Sequence, residues 1–260
     1  MPYASLSGGA TFYREAGTGA PAVLCVHGFC QSSAYWQETL AQVAAAGGRG
    51  IALDLPGFGQ SASVAGPYTM DRYADAAAEL LDALSLEKVV LVGSSMGGVI
   101  AQQFALRHPS RLERLLLVAT GAFTGDPVGA MKKADELVTV PWTDDMVYST
   151  VTNFFHKRPP EPRQEELRSI VRMASPAAAV EALRSNVATN TFEQLSEIGV
   201  PTVIVQGRQD RSRTPERGAA MCERIPNCQL VVLEESGHTP YLDEPAAFHQ
   251  AVLPFLIGKG

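Results

Sequence analysis

The chain has 260 residues, of which 46% are hydrophobic and 18% are charged. A chain of this size and apolar content can bury a large core in one domain, or in one domain that carries an insertion. The formal net charge is −6, and Lys and Arg are scattered rather than clustered, which argues against nucleic acid or an anionic membrane as a partner.

Short apolar runs rich in β-branched residues recur along the chain and predict buried strands. An outer strand is predicted at residues 10–17, followed by strands at 22–28, 50–57, 88–95, 114–121, 202–210 and 229–238. Runs that are apolar throughout are typical of strands covered on both faces, as in a parallel sheet. Amphipathic helical stretches at 70–86 and 97–109 separate some of these runs. The sequence therefore predicts an α/β fold built from βαβ crossovers.

The alternation of strands and helices is interrupted once, between residues 123 and 195. This segment has helical periodicity, and Pro141, the stretch at 158–162 and Pro176 interrupt it. We predict a core domain formed by residues 1–122 and 196–260, with a helical insertion at 123–195 packed over one edge of the sheet.

Two further features concern the location and redox state of the chain. The N-terminal stretch lacks a basic segment leading into an apolar one, and no apolar run reaches the roughly 18 residues of a membrane span. We therefore expect a soluble, cytoplasmic protein without a membrane partner. The cysteines show no zinc-type spacing, and we expect all of them to be reduced and structural. They are Cys25, Cys30, Cys222 and Cys228.

Two adjacent serines follow the apolar run at 88–93, within the pattern Gly93-Ser94-Ser95-Met96-Gly97. The G-x-S-x-G spacing centres on Ser95, because centring on Ser94 would put side chains where none fits. A serine at the apex of such a strand-to-helix turn is lifted clear of the sheet. The backbone N–H of Met96 would then face negative charge developing on an attacked carbonyl. We predict that Ser95 is a nucleophile.

A serine nucleophile needs a base within hydrogen-bonding reach and a carboxylate that orients the base. His238 lies in a small-residue loop after a predicted strand, so we predict that it is the base. His27 directly follows a strand, and we interpret it as a structural imidazole. The remaining histidines lie in or at the ends of helical segments and show no distinctive surroundings: His108, His156 and His249.

The predicted carboxylate is Asp210, which follows the strand predicted from residue 202. Its alternative role is that of a turn or N-cap residue. Asp126, after the strand that precedes the insertion, is the competitor for the same histidine. Asp243 and Glu244 are too close in sequence to His238 to face its ring easily.

The chain order Ser95, Asp210, His238 resembles that of the α/β-hydrolase superfamily, and the likeness spans nearly the whole chain. It rests on VHGF (26–29), DLPGFGQS (54–61), GSSMGG (93–98), GRQD (207–210) and SGH (236–238). The resemblance implies an α/β-hydrolase fold, a mostly parallel central sheet flanked by helices. It also implies that the backbone N–H of Phe29 completes an oxyanion hole with Met96, and that residues 123–195 form a cap over the site. The DLPGFGQS turn itself is interpreted as structural.

These features predict a serine hydrolase that cleaves a carboxylic ester or lactone of a small molecule through an acyl-enzyme, without cofactor or metal. Epoxide and haloalkane hydrolases place Asp at the elbow, where this chain has Ser95. Carbon–carbon hydrolases of ring-cleavage products generally carry Trp after the catalytic histidine and Asn before the nucleophile. Thr239 and Ser94 stand there, which weakens that alternative without removing it. A cofactor-free lyase and a small-molecule receptor that retains the triad also stay open, as do the physiological substrate and the oligomeric state.

The residues expected to line the substrate pocket are mostly aromatic. Trp36 belongs to a helical turn predicted to flank the pocket, and apolar pieces of the insertion lie at 140–142 and 153–155. Arg168 and Arg172 lie on one helical face but are not assigned to a substrate carboxylate. The predicted pocket residues are Cys30, Trp36, Trp142, Phe154, Phe155 and Thr239.

Overall fold

The structure, a computed structural model, describes residues 2–139 and 143–258. Its described residues form an eight-stranded sheet in the order β1-β2-β4-β3-β5-β6-β7-β8. The pairs β1–β2 and β2–β4 are antiparallel, and the pairs from β4 through β3, β5, β6 and β7 to β8 are parallel. The strands are β1 (Tyr3–Leu6), β2 (Gly9–Ala16), β3 (Ala22–Val26), β4 (Arg49–Leu53), β5 (Val89–Ser94), β6 (Leu112–Val118), β7 (Thr202–Gly207) and β8 (Cys228–Leu233).

The helices surround this sheet, and their apolar faces explain its burial. Every residue of β5 and of β7 is buried, because helices cover both faces of the sheet at its centre. Helix α1 packs on α10, and α2 packs on α3. The helices of the described chain are α1 (Gln37–Ala45), α2 (Met70–Ala83), α3 (Met96–Arg107), α4 (Pro127–Thr139), α5 (Asp144–Thr152), α6 (Glu161–Arg172), α7 (Pro176–Ala188), α8 (Pro215–Cys222), α9 (Pro240–Asp243) and α10 (Pro245–Ile257).

The predicted mostly parallel sheet is confirmed, and the sequence missed one strand. Strand β1 has only four residues, and its burial alternates, so it carries no apolar run that would reveal it. Because β1 occupies the edge, the predicted outer strand β2 lies between β1 and β4.

The segment between β6 and β7 is helical and packs on the core. Helices α4 to α7 lie in this segment, with α4 packed on α7 and α5 on α6. Hydrogen bonds join α7 and the residue that precedes it to the core. Ser175 N donates to Gly57 O (2.8 Å), Tyr68 N to Glu181 Oε1 (2.9 Å) and Met70 N to Ser185 Oγ (3.0 Å). Helix α7 is therefore fixed against the loops that precede α2.

The expectation that all four cysteines are reduced is wrong. Cys222 and Cys228 form a disulfide, with their Cα atoms 5.2 Å apart. Cys222 ends α8 and Cys228 begins β8, so the short turn between helix and strand brings the two thiols together. Cys25 and Cys30 are buried and take no part in this disulfide.

A helix that spans a bilayer must be both long and strongly apolar. None of the helices in the described residues combines the two properties that a bilayer-spanning segment requires.

Candidate active site

Ser95 lies at a sharp turn between the end of β5 and the start of α3. Its backbone has φ 54° and ψ −117°, a region that L-residues rarely occupy and that costs about 1–3 kcal/mol. Ser95 N donates to Val118 O (2.9 Å), and Thr120 Oγ1 donates to Ser95 O (2.7 Å). The neighbouring strand β6 and the loop after it therefore hold this strained residue in place.

The glycines around Ser95 allow the strand and helix to pass closely. A Cβ added at Gly93 would lie 2.2 Å from Gly97 O, and one added at Gly97 would lie 2.4 Å from Val26 O. These contacts are far shorter than real Cβ atoms tolerate, so neither position accepts a side chain without backbone movement. The spacing that identified Ser95 in the sequence thus has a steric cause in the structure.

His238 and Asp210 come from loops that follow adjacent parallel strands, β8 and β7, at the edge of the sheet where Ser95 lies. His238 Nε2 is 2.8 Å from Ser95 Oγ, and His238 Nδ1 is 2.6 Å from Asp210 Oδ2. The imidazole therefore bridges the hydroxyl and the carboxylate, which are more than 100 positions apart in the chain.

Asp210 is buried and surrounded by donors. Its Oδ1 accepts from Ser212 N (2.8 Å), Ser212 Oγ (3.0 Å) and Arg213 N (3.0 Å). Burial raises the pKa of Asp210, but the hydrogen bond and charge of His238, with the backbone donors of Arg213 and Ser212, outweigh burial and lower the pKa overall. The carboxylate is thus ionised near neutral pH and fixed in one orientation toward the imidazole.

Several hydrogen bonds anchor the loop that carries His238. His238 N donates to Phe154 O (2.8 Å), Gly237 N donates to Asp243 Oδ2 (2.7 Å), and Ser236 Oγ donates to Glu244 Oε2 (2.7 Å). The ring of Phe154 also packs against the imidazole, with centroids 5.4 Å apart. Asp243 and Glu244 therefore hold the loop rather than the ring.

The structure does not bring Asp126, the competing carboxylate, to His238. Asp126 is exposed, and its Oδ1 accepts from Gly129 N (2.9 Å) at the start of α4. His27 is fully buried: its Nδ1 bonds Gly28 O (2.8 Å), and its Nε2 accepts from Leu55 N (3.0 Å). Both of its ring nitrogens bind loop backbone, consistent with a structural role.

A cavity of about 230 Å³ lies over Ser95. Among the predicted pocket residues, Cys30 and Phe154 line it. Phe29 and Met96, the predicted oxyanion-hole residues, also line it. The described residues that line it are Phe29, Cys30, Ser95, Met96, Met146, Ser149, Thr150, Asn153, Phe154, Leu183, Asn186 and Arg213.

The structure places three other predicted pocket residues elsewhere. Trp36 is fully buried and stacks on Tyr241 at 4.3 Å, because the helical turn at residues 33–36 faces the core. Thr239 is also fully buried, and its hydroxyl donates to Phe154 O (3.4 Å). Phe155 lines a neighbouring depression, whose lining also includes His238 and Asp210. Trp142 lies outside the described residues.

Sequence reasoning missed most of the cavity wall. Met146, Ser149, Thr150 and Asn153 repeat at the spacing of one helical face, and this face of α5 closes the cavity. Leu183 and Asn186 repeat the i, i+3 pattern on α7, and Arg213 lies three residues after Asp210. The helical spacing was a usable signal, but the mixed polarity of these residues gave no indication of which face turns inward.

Arg168 and Arg172 do not face the cavity. Arg168 pairs with Glu161 and Glu165, and Arg172 pairs with Asp144 and Glu165; these carboxylate residues are exposed. In the described part of the chain, no group of three or more His, Cys, Asp or Glu side chains is arranged to hold a metal ion.

The fold and this arrangement define an α/β hydrolase scaffold with a serine at its strand-to-helix turn. The family model described as "alpha/beta hydrolase fold" matches residues 21–245, and the chain belongs to this family. The chain is 30% identical over 260 residues to 2-hydroxy-6-oxononadienedioate/2-hydroxy-6-oxononatrienedioate hydrolase 2 of Pseudomonas putida, covering 94% of this chain and 90% of that protein.

Two solved esterase structures are also similar to the chain. The esterase EaEST from Exiguobacterium antarcticum has a TM-score of 0.88 and 26% identity, covering 98% of each chain. A thermophilic esterase from Thermogutta terrifontis, solved with malate bound, has a TM-score of 0.87 and 28% identity, covering 98% of this chain and 97% of that one.

Proposed function

We propose that this chain is a serine hydrolase that cleaves a carboxylic ester or lactone of a small organic molecule. The observation that carries the proposal is the continuous hydrogen-bonded path from Ser95 Oγ through His238 to Asp210, with distances of 2.8 and 2.6 Å, at the floor of a cavity. In this role, His238 takes the proton of Ser95 as the hydroxyl attacks the carbonyl carbon. Asp210 holds the imidazole tautomer and stabilises the imidazolium that forms.

The oxyanion of the tetrahedral intermediate would be bound by the backbone N–H groups of Phe29 and Met96. Met96 is the first residue of α3, so the N-terminal end of the helix dipole also favours negative charge there. The loop of Phe29 is held by Gly28 N, which donates to Gln31 Oε1 (2.8 Å). Collapse of the intermediate releases the alcohol, which takes the proton from His238 and leaves an acyl group on Ser95. The same imidazole then activates water, which releases the acid.

The cavity limits the substrate to a small molecule. Its volume of about 230 Å³ is below the roughly 300–1,000 Å³ of pockets for drug-sized ligands. The segment between β6 and β7 supplies much of its wall through α5 and α7, so this segment acts as a cap that selects the substrate. The two esterases similar to this chain support ester cleavage on the same scaffold.

The test is hydrolysis of short-chain p-nitrophenyl esters and of a lactone panel by the wild type, Ser95→Ala and Ser94→Ala. Ser94 is buried next to Ser95 and does not line the cavity, so its variant is a matched control. We expect the wild type and Ser94→Ala to hydrolyse the substrate. Ser95→Ala should have a kcat lower by at least about 10⁴-fold. Mass spectrometry after fluorophosphonate treatment should locate one adduct on Ser95.

Other outcomes would contradict ester hydrolysis. An adduct on Ser95 with negligible turnover across the whole panel would favour a lyase or a small-molecule receptor. Turnover that is equal in the wild type and Ser95→Ala would remove Ser95 from the chemistry.

A second candidate is hydrolysis of a carbon–carbon bond in a ring-cleavage product. The similarity to the Pseudomonas putida hydrolase named above favours it. Against it, this chain has Thr239 after the proposed base and Ser94 before the proposed nucleophile, where carbon–carbon hydrolases generally carry Trp and Asn. A 2-hydroxy-6-oxodienoate assayed by loss of its chromophore decides between the two. If kcat/KM for this dienoate exceeds that for every ester and lactone tested, carbon–carbon hydrolysis is the reaction and ester hydrolysis is not.

A further inference from the structure

Among the described residues that line the cavity over Ser95, Arg213 carries a positive charge. Arg213 lines the cavity wall and is partly buried. Its backbone N–H donates to Asp210 Oδ1, but its guanidinium forms no hydrogen bond or ion pair with any residue in 2–139 or 143–258. A guanidinium carries five N–H donors, so this one has unused donors within reach of a bound molecule.

Arginines elsewhere in the described chain are generally neutralised by carboxylates. Arg208, two residues before Asp210, forms a two-point pair with Glu234 at 3.0 Å on each arm. Arg184 on α7 pairs with Asp135 at 2.6 Å, and Arg224 pairs with Glu193 at 2.9 Å. Arg213 differs from these because it lies in the cavity and has no such partner.

Asp210 acts on Arg213 through its charge but forms no ion pair with the guanidinium. Both oxygens of this carboxylate are already occupied, Oδ2 by His238 and Oδ1 by Ser212 and the backbone of Arg213. Burial and the nearby charge of Arg217 lower the pKa of Arg213, although the charge of Asp210 opposes them. Since arginine stays protonated in proteins, its surroundings favour an additional anion next to the guanidinium.

The other residues of the cavity wall determine the size and polarity of a ligand that could bind Arg213. The cavity has a volume of about 230 Å³, and Phe29, Met96, Met146, Phe154 and Leu183 make part of its wall apolar. The side of α5 that faces it adds the polar residues Ser149, Thr150 and Asn153. On α7, Asn186 also lines the cavity, and its Oδ1 is buried without a hydrogen-bond partner in the described chain. The cavity thus combines an apolar part of its wall with neutral polar side chains and the charged guanidinium of Arg213.

We propose that the substrate of Ser95 carries a carboxylate, which binds the guanidinium of Arg213 while a short aliphatic chain places the ester or lactone carbonyl at Ser95. The substrate class is then a half-ester of a short dicarboxylic acid or a lactone that bears a carboxylate. Arg–carboxylate pairs are frequently bidentate, so Arg213 would also fix the orientation of the substrate. This inference depends on the proposed ester or lactone hydrolysis.

The kinetic test compares mono-p-nitrophenyl glutarate with p-nitrophenyl butyrate, which has a similar short acyl chain and no carboxylate. The enzymes are the wild type, Arg213→Gln, Arg213→Lys and Arg211→Gln. Arg211 is an exposed arginine in the same loop that does not line this cavity, so its variant controls for the loss of one charge.

We expect Arg213→Gln to lower kcat/KM for the glutarate half-ester by about 10- to 100-fold, since a hydrogen bond to a charged group contributes about 1.5–3 kcal/mol. Activity on the butyrate should change less than about threefold. Arg213→Lys should recover part of the loss, and Arg211→Gln should behave as the wild type. An equal loss on both esters would assign Arg213 to the positioning of Asp210 and would overturn carboxylate recognition.

A binding measurement separates this inference from the proposed reaction. Calorimetry with Ser95→Ala uses monomethyl glutarate and neutral dimethyl glutarate as probes, so no turnover is needed. We expect the acid to bind more tightly than the diester, and the double variant Ser95→Ala/Arg213→Gln to lose that preference. If esters are not turned over but this preference holds, the reaction fails and the carboxylate site stands. If esters are hydrolysed without any preference for the acid, the carboxylate site fails and the reaction stands.

Discussion

The backbone N–H of His238 donates to the carbonyl oxygen of Phe154 at 2.8 Å, and the rings of the two residues lie 5.4 Å apart between centroids. Phe154 follows α5, whereas His238 follows β8, so this contact joins the segment between β6 and β7 to the proposed base. The helical segment therefore positions the imidazole in addition to walling the cavity. A substitution of Phe154 should therefore lower kcat and should not act through substrate binding alone.

We predict that Phe154→Ala lowers kcat on a short-chain ester by about 3- to 10-fold, the equivalent of an aromatic contact of about 0.5–1.5 kcal/mol. The backbone hydrogen bond stays, so His238 should keep its loop but lose the ring that restrains it. Phe123→Ala is the matched control, because Phe123 is an exposed ring that packs on Phe192 at 5.6 Å. Steady-state kinetics measure the effect. A change confined to KM would show that Phe154 contacts substrate without restraining His238.

The parts of the site that the sequence could predict are those with a strict local cause. Ser95 was identifiable because backbone contacts forbid side chains at Gly93 and Gly97. Asp210 and His238 were identifiable because the loops after parallel strands meet at one edge of the sheet.

The parts that the sequence could not predict depend on packing between distant segments. The sequence predicts Trp36 beside the pocket, but its ring stacks on Tyr241, about 200 residues later in the chain. The rotation of α5 and α7, which brings Met146 and Asn186 to the cavity, is set by contacts with other helices. The disulfide between Cys222 and Cys228 depends on how tightly the chain turns from α8 into β8.

Asp210→Asn should lower kcat by about 10⁴-fold while leaving the fold intact. The asparagine can keep an oxygen or present an amide to His238 Nδ1, but it removes the negative charge that stabilises the imidazolium. Asp126→Asn is the control, since this exposed carboxylate only accepts from Gly129 N at the start of α4. Ester kinetics and circular dichroism are the measurements. A comparable loss in Asp126→Asn, with Asp210→Asn unaffected, would reverse the assignment of the carboxylate.

Asp243 should make stability depend on pH in the direction opposite to that of most carboxylates. Burial raises its pKa above the ordinary 3.8, despite hydrogen bonds from Gly237 N and His156 N. The folded state then holds the proton more tightly than the unfolded state. The stabilisation by the protonated carboxyl is therefore complete below about pH 3.8 and is lost as the pH rises through the higher folded pKa.

The comparison of wild type with Asp243→Asn isolates this contribution. Urea titration gives the free energy of unfolding of each protein, and the quantity of interest is the wild-type value minus the variant value. This difference should decrease as the pH rises from about 4 to the pH at which Asp243 is fully ionised in the folded state. Asp145→Asn removes one exposed carboxylate at the start of α5 and controls for net charge. A wild-type advantage that grows with pH in this window would contradict the expected sign.

Gly97→Ala should destabilise the fold by about 3 kcal/mol or more. The added Cβ would lie 2.4 Å from Val26 O and 2.6 Å from His27 O, which are backbone atoms that cannot rotate away. Relief requires α3 to move away from β3, and that movement would also displace Ser95. We therefore expect the loss of stability to be accompanied by a loss of the proposed ester hydrolysis in the fraction that remains folded.

Gly199→Ala is the matched control for the same change of one methyl group. No atom lies within 4 Å of a Cβ at Gly199, and its φ is outside the left-handed region. The expected effect is between no change and a gain of about 1 kcal/mol, because alanine reduces the entropy of the unfolded chain. Urea unfolding followed by circular dichroism measures both variants. Equal stability of Gly97→Ala and Gly199→Ala would mean that the approach of α3 to β3 does not require glycine, and that the G-x-S-x-G spacing in this chain has no steric origin.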